Sequence, residues 1–592
     1  MMLASPYGCE SQSNYDRSLL IRVDVRGEPM QRLRHSLAYK CVLAAITALT
    51  FGPICQCLQA VEPLLTGVVS ADQITENLTA IEEGRWTASE AFRFGEELEN
   101  LNQRVEAIRL YEAALEKFPE DGNLKYGLRR TRVHFSVDRR YSDRSFQKKL
   151  LLQGRAEALD LLEDVLTRVQ LEYVTKISAT KLIAHGTESL YMALGNDRFL
   201  DAHVKIAFRP AAEKLRRQLT SNYWNRRVAS RLEARMVVTE VCELARRQVG
   251  IPDTAVVMEY LFGSCNALDD YSHFLTPDRY NDLFGSIQGE FVGIGIEMEG
   301  EKGKGMHLVN VLLDSPAEQG GLRPGDFIVE IDGRECRDLT TDEAAGLLRG
   351  QRGSQVDIAY ETTDGKINRS VLTRRSVVVR SVTSSLILDQ DNGIGYIRMT
   401  GFQNSTEEEM DAALRGLESR GMKSLIWDLR DNPGGLLDTA ANVIDRFIDR
   451  GVLVSTEGRS FDQTQTFRAN TYNTRSMPLV LLVNENSASA SEIVAGAIND
   501  HRRGTIVGRK TYGKWSVQSI IHLPGGTGLK LTTAKFYSPE HQNYAGTGIA
   551  PHVAVENAHR TAFRARTSDE ISVDPDVARA LEVLERRFTR SN

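Results

Sequence analysis

The sequence predicts a multidomain α+β protein in which an N-terminal helical region leads into a β-rich domain and then into a layered α/β core. Three changes of texture carry that prediction. Residues 75–275 are helical in pattern, glycine-punctuated β segments begin near 280, and strands alternate with helices after 390. A length of 592 residues leaves room for several domains. With 41% hydrophobic and 26% charged residues, 46 glycines and 16 prolines, the composition is globular, which excludes collagen, a coiled-coil rod and wholesale disorder. A net charge of −6 over this length provides no global basic field, so nucleic acid is not an expected partner.

Residues 1–60 read as a leader. Arg32, Arg34, His35 and Lys40 precede the apolar run Cys41–Phe51, Gly52-Pro53 ends it, and the small residue Ala60 follows. A basic stretch, a short apolar stretch and a small residue describe a secretory signal, and the run is too short to span a bilayer comfortably. Met30 offers an alternative start. The expected location is exported, periplasmic or extracytoplasmic, with the apolar segment as the candidate membrane contact. Seven cysteines are too few for a disulfide scaffold; Cys9, Cys41, Cys55 and Cys57 precede residue 60, and Cys242, Cys265 and Cys336 are expected to be buried thiols.

Residues 75–160 form a helical region in which Ala107, Tyr111, Ala114, Leu115 and Pro119 follow tetratricopeptide spacing. One copy cannot build a solenoid, so the expectation is a helical hairpin packed on its neighbours. The basic stretch Arg129, Arg130, Arg132, Arg139, Arg140, Arg144, Lys148 and Lys149 is expected to be a solvated helix face. A second helical region spans 161–284. The β-rich domain covers 285–376, with strands at "GEFVGIGIEMEG", "MHLVNVLL", "DFIVEIDG" and "QVDIAYET" and one helix at "TDEAAGLLRG". In the α/β core, 377–560, "GIGYIRM", "SLIWDLR" and "PLVLLVN" read as strands, and Thr406–Ser419, Leu436–Ile448 and Ser491–Asp500 as helices. A polar tail, 561–592, ends in a short helix.

The segment richest in chemistry is 479–518. An apolar strand, Leu479–Val483, runs through Ser487-Ala488-Ser489-Ala490-Ser491 into a helix. Small residues at such a turn expose a nucleophile while N–H groups at the helix start face a reacting carbonyl. A serine needs a base, and Lys514 in "TYGKWSVQ", flanked by Tyr512 and Trp515, can serve if apolar surroundings lower its pKa. Taken alone, the serines read better as helix caps and Lys514 as a surface lysine. His501, His522, His541 and His552 are alternative bases.

Spacing and neighbours together go further. Residues 160–556 resemble the carboxyl-terminal processing peptidases, or tail-specific proteases, on "GEFVGIGIEM", "SPAEQGGLRPGDFIVEIDG", "LLRGQRGSQV", "GIGYIRMTGF", "LIWDLRDNPGG", "VNENSASASEIVAGAIND" and "VGRKTYGKWSVQ". The resemblance implies a PDZ domain inserted before an α/β protease core with a serine–lysine pair. By motif position it assigns the nucleophile to Ser489, the base to Lys514, and to Gln518 the orientation of that lysine. The oxyanion would rest on the N–H of Ala490 and of Gly435 or Gly434. Phe291, Val292, Gly293, Ile294, Gly295 and Ile296 resemble the PDZ loop that receives a terminal carboxylate, with the apolar members lining a pocket for the last side chain.

Three residues depart from the family pattern: Trp515 and Val292 where glycine is usual, and His552 where aspartate is usual. Trp515 raises the prospect of a narrower cleft or an altered burial of Lys514. No metal or organic cofactor is implied. The expected partners are protein or peptide substrates with free C-terminal tails, and the N-terminal helices are candidates for holding a second copy or an adaptor. The implied activity is that of a serine endopeptidase; the alternative is a catalytically silent PDZ-containing binding protein for exported polypeptides.

Overall fold

A computed structural model describes residues 69–301, 303–472, 474–556 and 568–591. The leader, with Cys9, Cys41, Cys55 and Cys57, lies outside the described residues. Among the described residues no helix is long and apolar enough to cross a membrane.

The first four described helices, Ala71–Glu82, Ala88–Asn100, Arg104–Lys117 and Gly122–Ser142, pack as one cluster. The tetratricopeptide-like residues Ala107, Tyr111 and Ala114 are fully buried within it. Two glycines make room for the Tyr111 ring, since a Cβ on Gly95 or Gly127 would stand 2.3 or 2.7 Å from it. The hairpin therefore packs against neighbours rather than starting a repeat array.

Helix Gly122–Ser142 is long enough to reach the second helical body, where Val137 and Tyr141 join the core of Arg155–Glu172, Ala179–Ala193, Arg231–Val249 and Asp253–Cys265. The basic stretch is only partly solvated, contrary to the expectation from composition. Arg140 is buried and paired with Glu259, Arg129 with Glu188, and Arg130 with Glu99 at 2.8 Å, whereas Arg132, Arg139, Arg144, Lys148 and Lys149 are exposed. The carboxylates that draw these arginines inward come from other helices, which a local charge pattern does not reveal.

The β-rich domain is a five-strand path, Ile296–Glu301, Gly305–Val311, Phe327–Ile331, Gln355–Glu361 and Ile367–Thr373, with Arg334–Glu335 beside the third. Helix Thr341–Leu348 caps it, closed at its start by the reciprocal Thr340–Glu343 bonds. A two-stranded ribbon, Glu290–Gly293 with Arg375–Val378, joins this domain to the rest.

The α/β core is a six-stranded sheet in the order Val382–Asp389, Ile394–Met399, Ser424–Asp428, Leu479–Val483, Thr505–Gly508, Val553–Ala554; the first pair is antiparallel and the others parallel. Side chains alternate between its faces. Leu425, Trp427, Leu479, Leu481 and Val483 meet helices Thr406–Ser419, Leu437–Asp445 and Ala490–Asp500, while Ile426, Val480 and Leu482 face the other way.

That second face is covered by Ile571 and by helix Pro575–Ser591, through Val577, Ala580 and Leu584. The tail expected to be polar with a short helix is thus an integral 17-residue helix. Its few apolar residues sit at helical spacing among arginines and glutamates, so composition hides them. A second, antiparallel sheet is organised around the long strand Thr527–Tyr537, which pairs with His273–Leu275, Val452–Gly458 and Ser516–Leu523. It ties the helical body to the segment carrying Lys514.

Candidate active site

Two loops at the carboxyl ends of parallel strands build the site. One follows Ser424–Asp428 and contains Asp431–Gly435; the other follows Leu479–Val483 and contains Asn484–Ser489. They are laced together: Asp431 N–H donates to Asn484 Oδ1 (2.9 Å), Ala488 N–H to Asn432 O (3.1 Å), and Ser487 Oγ to Leu429 O (2.8 Å). Ser491 Oγ donates to Asn432 O (2.9 Å). Of the three serines in the run, Ser487 and Ser491 are therefore buried struts. Ser489 differs: its side chain makes no capping hydrogen bond, it is half-buried, and its backbone is held at φ 55°. A positive φ at a non-glycine residue is strained, and the surrounding bonds keep it there.

Ser489 starts helix Ala490–Asp500, so the N–H of Ala490 opens the helix and finds no acceptor among the described residues. The Gly435 N–H likewise has none, while that of Gly434 is taken by Asn432 Oδ1 at 2.9 Å. Two unclaimed donors thus stand beside Ser489, and of the two glycines expected to serve, the geometry leaves Gly435 available. Neither glycine tolerates a side chain. A Cβ on Gly434 (φ +102°) would lie 2.7 Å from Ala488 O, and one on Gly435 (φ +151°) 2.1 Å from Phe402 O.

Lys514 is half-buried just ahead of strand Ser516–Leu523. Its ammonium stands 4.8 Å from the centroid of the Tyr271 ring. Burial, and then the nearby Lys530 ammonium, lower its pKa to about 8, with Asp269 and Glu492 pulling the other way. Among the described residues no hydrogen bond joins Lys514 to Ser489 or to Gln518. The Gln518 amide instead donates to Ser516 Oγ (2.9 Å) and Thr532 Oγ1 (3.4 Å).

Glu492, three residues after Ser489, holds the parts in register. Its fully buried carboxylate accepts from Ser489 N–H (3.0 Å) and Lys514 N–H (2.8 Å) on one oxygen. The other oxygen accepts from Thr511 Oγ1 (2.7 Å), Gly513 N–H (2.7 Å) and Trp515 Nε1 (3.3 Å). Sequence reading passed over this residue, although a serine followed three positions later by glutamate at a helix start is a recognisable signature. Trp515 turns inward, 2% exposed, against Phe536 and Tyr544, so it anchors the loop from beneath.

The alternative bases are engaged elsewhere. His501 Nε2 contacts Val452 O, His552 lies between Ile506 N–H and Asn499, His541 stacks on Tyr537, and His522 lies against Tyr280. Of the six residues expected to bind a chain end, Ile294, Gly295 and Ile296 lie at the edge of the β-rich domain's sheet, with Ile294 in its core. Phe291, Val292 and Gly293 lie in the connecting ribbon.

A second polar centre supports the first loop from behind. Arg430 is bound to Asp428 (2.7 Å), the last residue of the preceding strand, and to Asp574 (2.7 Å) and Asp576 (2.8 Å) of the C-terminal segment. Burial would raise the Asp428 carboxyl, but Arg430 and Arg398 hold it below its ordinary value.

Residues 393–555 match peptidase family S41 and residues 308–362 match the PDZ domain. A carboxy-terminal-processing protease of Bartonella bacilliformis is 37% identical over 330 residues, 54% of this chain and 74% of that protein. A carboxyl-terminal-processing protease of Synechocystis is 34% identical over 291 residues, 49% and 68% of the two chains. Among solved structures, the photosystem II D1 C-terminal processing protease aligns at 26% identity over 67% of this chain and 93% of its own, with a TM-score of 0.36.

The chain is thus a serine-type peptidase that carries a PDZ domain, and its substrates are proteins. It belongs to peptidase family S41, with the carboxyl-terminal processing proteases. The rival expectation, a silent PDZ-containing binding protein, is not favoured by these relationships.

Proposed function

We propose that the protein is an exported endopeptidase that captures the C-terminal tails of proteins through its PDZ domain and cleaves near them, with Ser489 as nucleophile and Lys514 as base. The observation that carries this reading is the convergence at one helix start. A strained serine stands beside two unclaimed N–H groups, and a lysine of lowered pKa sits on a loop tied to the same carboxylate as that serine. Export is supported by the leader pattern at 32–60, and tail recognition by the relatives' names and the glycine-containing edge of the PDZ sheet. The N-terminal helices, with Leu232 and Met236 exposed on the second helical body, are the candidate surface for a second copy or an adaptor.

In the reaction, Ser489 Oγ attacks the scissile carbonyl as Lys514 Nζ takes its proton. The oxyanion settles on the N–H groups of Ala490 and Gly435 at the positive end of the helix. Lys514 then returns the proton to the leaving amine, and water, deprotonated in turn by Lys514, hydrolyses the acyl-enzyme. Burial keeps a usable fraction of Lys514 neutral near pH 8, so no second base is required. With Lys514 Nζ resting 4.8 Å from the Tyr271 ring centroid, this reading requires the amine to reach Ser489 Oγ in the substrate complex.

Intact-mass measurement after exposure to a sulfonyl or phosphonate probe tests the reading, with and without a peptide ending in an apolar residue. One adduct that maps to Ser489 and disappears in Ser489→Ala and Lys514→Ala is expected. An adduct elsewhere, or unchanged labelling of Lys514→Ala, would overturn the assignment.

A further inference from the structure

One carboxylate of the C-terminal helix reaches two loops of the active site. Asp576, in the first turn of Pro575–Ser591, is fully buried. Its Oδ1 accepts from Arg509 Nη1 at 2.9 Å, and its Oδ2 accepts from Arg509 Nη2 at 3.0 Å and from Arg430 Nη1 at 2.8 Å. Arg509 is thus gripped as a fork, the arrangement in which a guanidinium–carboxylate pair fixes orientation as well as distance. Asp574 steadies the start of the same helix. It accepts the N–H groups of Asp576 (3.0 Å) and Val577 (3.1 Å) while also taking Arg430 Nη1 at 2.7 Å.

Both arginines lie in segments that carry catalytic parts. Arg430 immediately precedes the turn Asp431–Gly435, and its own N–H donates to Asp428 Oδ1 at 3.0 Å. Arg509 immediately follows strand Thr505–Gly508 and leads through Thr511 and Gly513 to Lys514. Its N–H donates to Val483 O (3.0 Å), and its Nε to Glu485 in the loop that ends at Ser489 (3.2 Å). Glu492 joins the serine to the lysine segment, and the Ala488–Asn432 bond joins the serine loop to the glycine turn. The third side of that triangle, from the glycine turn to the lysine segment, runs through Arg430, Asp576 and Arg509. Because both guanidinium groups share Asp576 Oδ2, loss of its charge leaves two like charges facing each other across the link.

We propose that Asp576 is a positioning residue for catalysis: by holding Arg430 and Arg509 together, it sets the spacing between the oxyanion donor of Gly435 and the amine of Lys514. The proposal rests on the Ser489–Lys514 reading and adds to it a residue beyond the stretch 393–555 that matches the peptidase family. Asp576 touches neither substrate nor reacting atoms, and its effect passes through the two arginines.

The test uses the full chain and Asp576→Asn, which keeps the shape of the side chain and removes its charge. kcat and KM are measured on a peptide ending in an apolar residue. Inhibition by a peptidyl boronate, whose adduct with a serine hydroxyl places an oxygen where the oxyanion sits, is measured beside them. Asp576→Asn is expected to lower kcat by about 10- to 100-fold, the size of one hydrogen bond to a charged group, and boronate affinity with it. KM, and peptide binding to Ser489→Ala with and without Asp576→Asn, stay within about twofold of the parent protein by the same arithmetic. A kcat within about threefold of wild type, or a loss carried by KM, overturns the proposal.

Leu584→Ala separates positioning from stability, since Leu584 packs the same helix on the sheet and meets neither arginine. It is expected to lose stability in urea while keeping its kcat; a fall in kcat equal to that of Asp576→Asn shows that the helix acts only by docking, and overturns the proposal. Arg509→Gln reads the link from its other end, and it stands alone if Asp576→Asn does not fold. It should lower kcat at constant KM, and the double variant should be no slower than the slower single. An unchanged kcat in Arg509→Gln, or losses that multiply in the double variant, refutes the link. All of these results leave the serine–lysine reading standing, whereas cleavage that survives Ser489→Ala refutes that reading instead.

Discussion

Replacing Glu492 by glutamine changes one atom and removes the acceptor that two loops share. The amide keeps one oxygen and presents an NH2 group in place of the other. In its better orientation the retained oxygen still serves Thr511, Gly513 and Trp515, and the N–H groups of Ser489 and Lys514 face a donor. Each buried donor left without an acceptor costs about 1–3 kcal/mol, so the loss is about 2–6 kcal/mol, focused on the two backbone groups that position nucleophile and base. Loop relaxation relieves part of that in the folded protein, but the relaxed loops are the misaligned ones. kcat/KM therefore falls by about 100-fold or more, equivalent to roughly 3 kcal/mol of the transition-state barrier, while urea unfolding reports a smaller loss of stability.

Glu492→Asp, shorter by one methylene, keeps the charge but falls short of the five donors and loses activity similarly. Removing the Glu492 charge also lowers the pKa of Lys514 further, so the residual activity of Glu492→Gln rises at a lower pH than in wild type. Probe labelling of Ser489, peptide cleavage and a pH profile read these effects separately. Labelling and cleavage by Glu492→Gln within threefold of wild type would refute the shared-anchor argument; full activity in Glu492→Asp would show that charge, not reach, is what matters.

The pH–rate profile of wild type should climb through about pH 8 as Lys514 loses its proton, and Lys530→Gln should move that limb upward by removing a positive neighbour. Since the folded pKa of Lys514 lies below its unfolded value of 10.5, the charged lysine opposes folding below pH 8 and ceases to do so above about 10.5. Lys514→Met should therefore gain stability at pH 7 and lose that gain as pH rises through this window; an equal gain at pH 11, read by urea titration, would contradict the burial argument. Gly435→Ala places a methyl 2.1 Å from Phe402 O at φ +151°, so probe labelling at Ser489 should vanish even if circular dichroism stays native-like. Arg140→Met leaves the Glu259 carboxylate buried and unpaired and should cost about 3–5 kcal/mol in thermal or urea unfolding, much of it recovered in Arg140→Met/Glu259→Leu.

Long-range order in the sequence proved legible where it was written as periodicity. The apolar runs at Leu425–Trp427 and Leu479–Val483 mark strands buried on both faces, and the small-residue turn after the second marks the start of a helix. Ser489 was set apart from Ser487 and Ser491 by motif position, but the physical difference between them was not legible, because it depends on which carbonyl each hydroxyl reaches. Gln518 was assigned to Lys514 by its motif position in the family resemblance, and the bulge between Val517 and Gln518 accompanies an amide that turns to Ser516 and Thr532 instead. Arg129, Arg130 and Arg140 looked solvated because the carboxylates that bury them are up to 119 residues away. A short C-terminal helix was expected, but its length and its place in the core were not, because a few apolar residues suffice when the sheet face beneath them is already apolar.

That helix has a consequence for the order in which the protein comes into being. Its apolar side chains close the second face of the sheet that carries both loops of the site, and its Asp574 and Asp576 neutralise Arg430 behind the Asp431–Gly435 turn. It is translated after Ser489, after Lys514 and after every strand of that sheet. A nascent chain that already contains the whole serine–lysine pair still has one apolar face in water and a guanidinium without two of its counter-charges. The sheet face beneath both loops is therefore sealed, and the turn at Asp431–Gly435 fully braced, only once this late-made segment has docked.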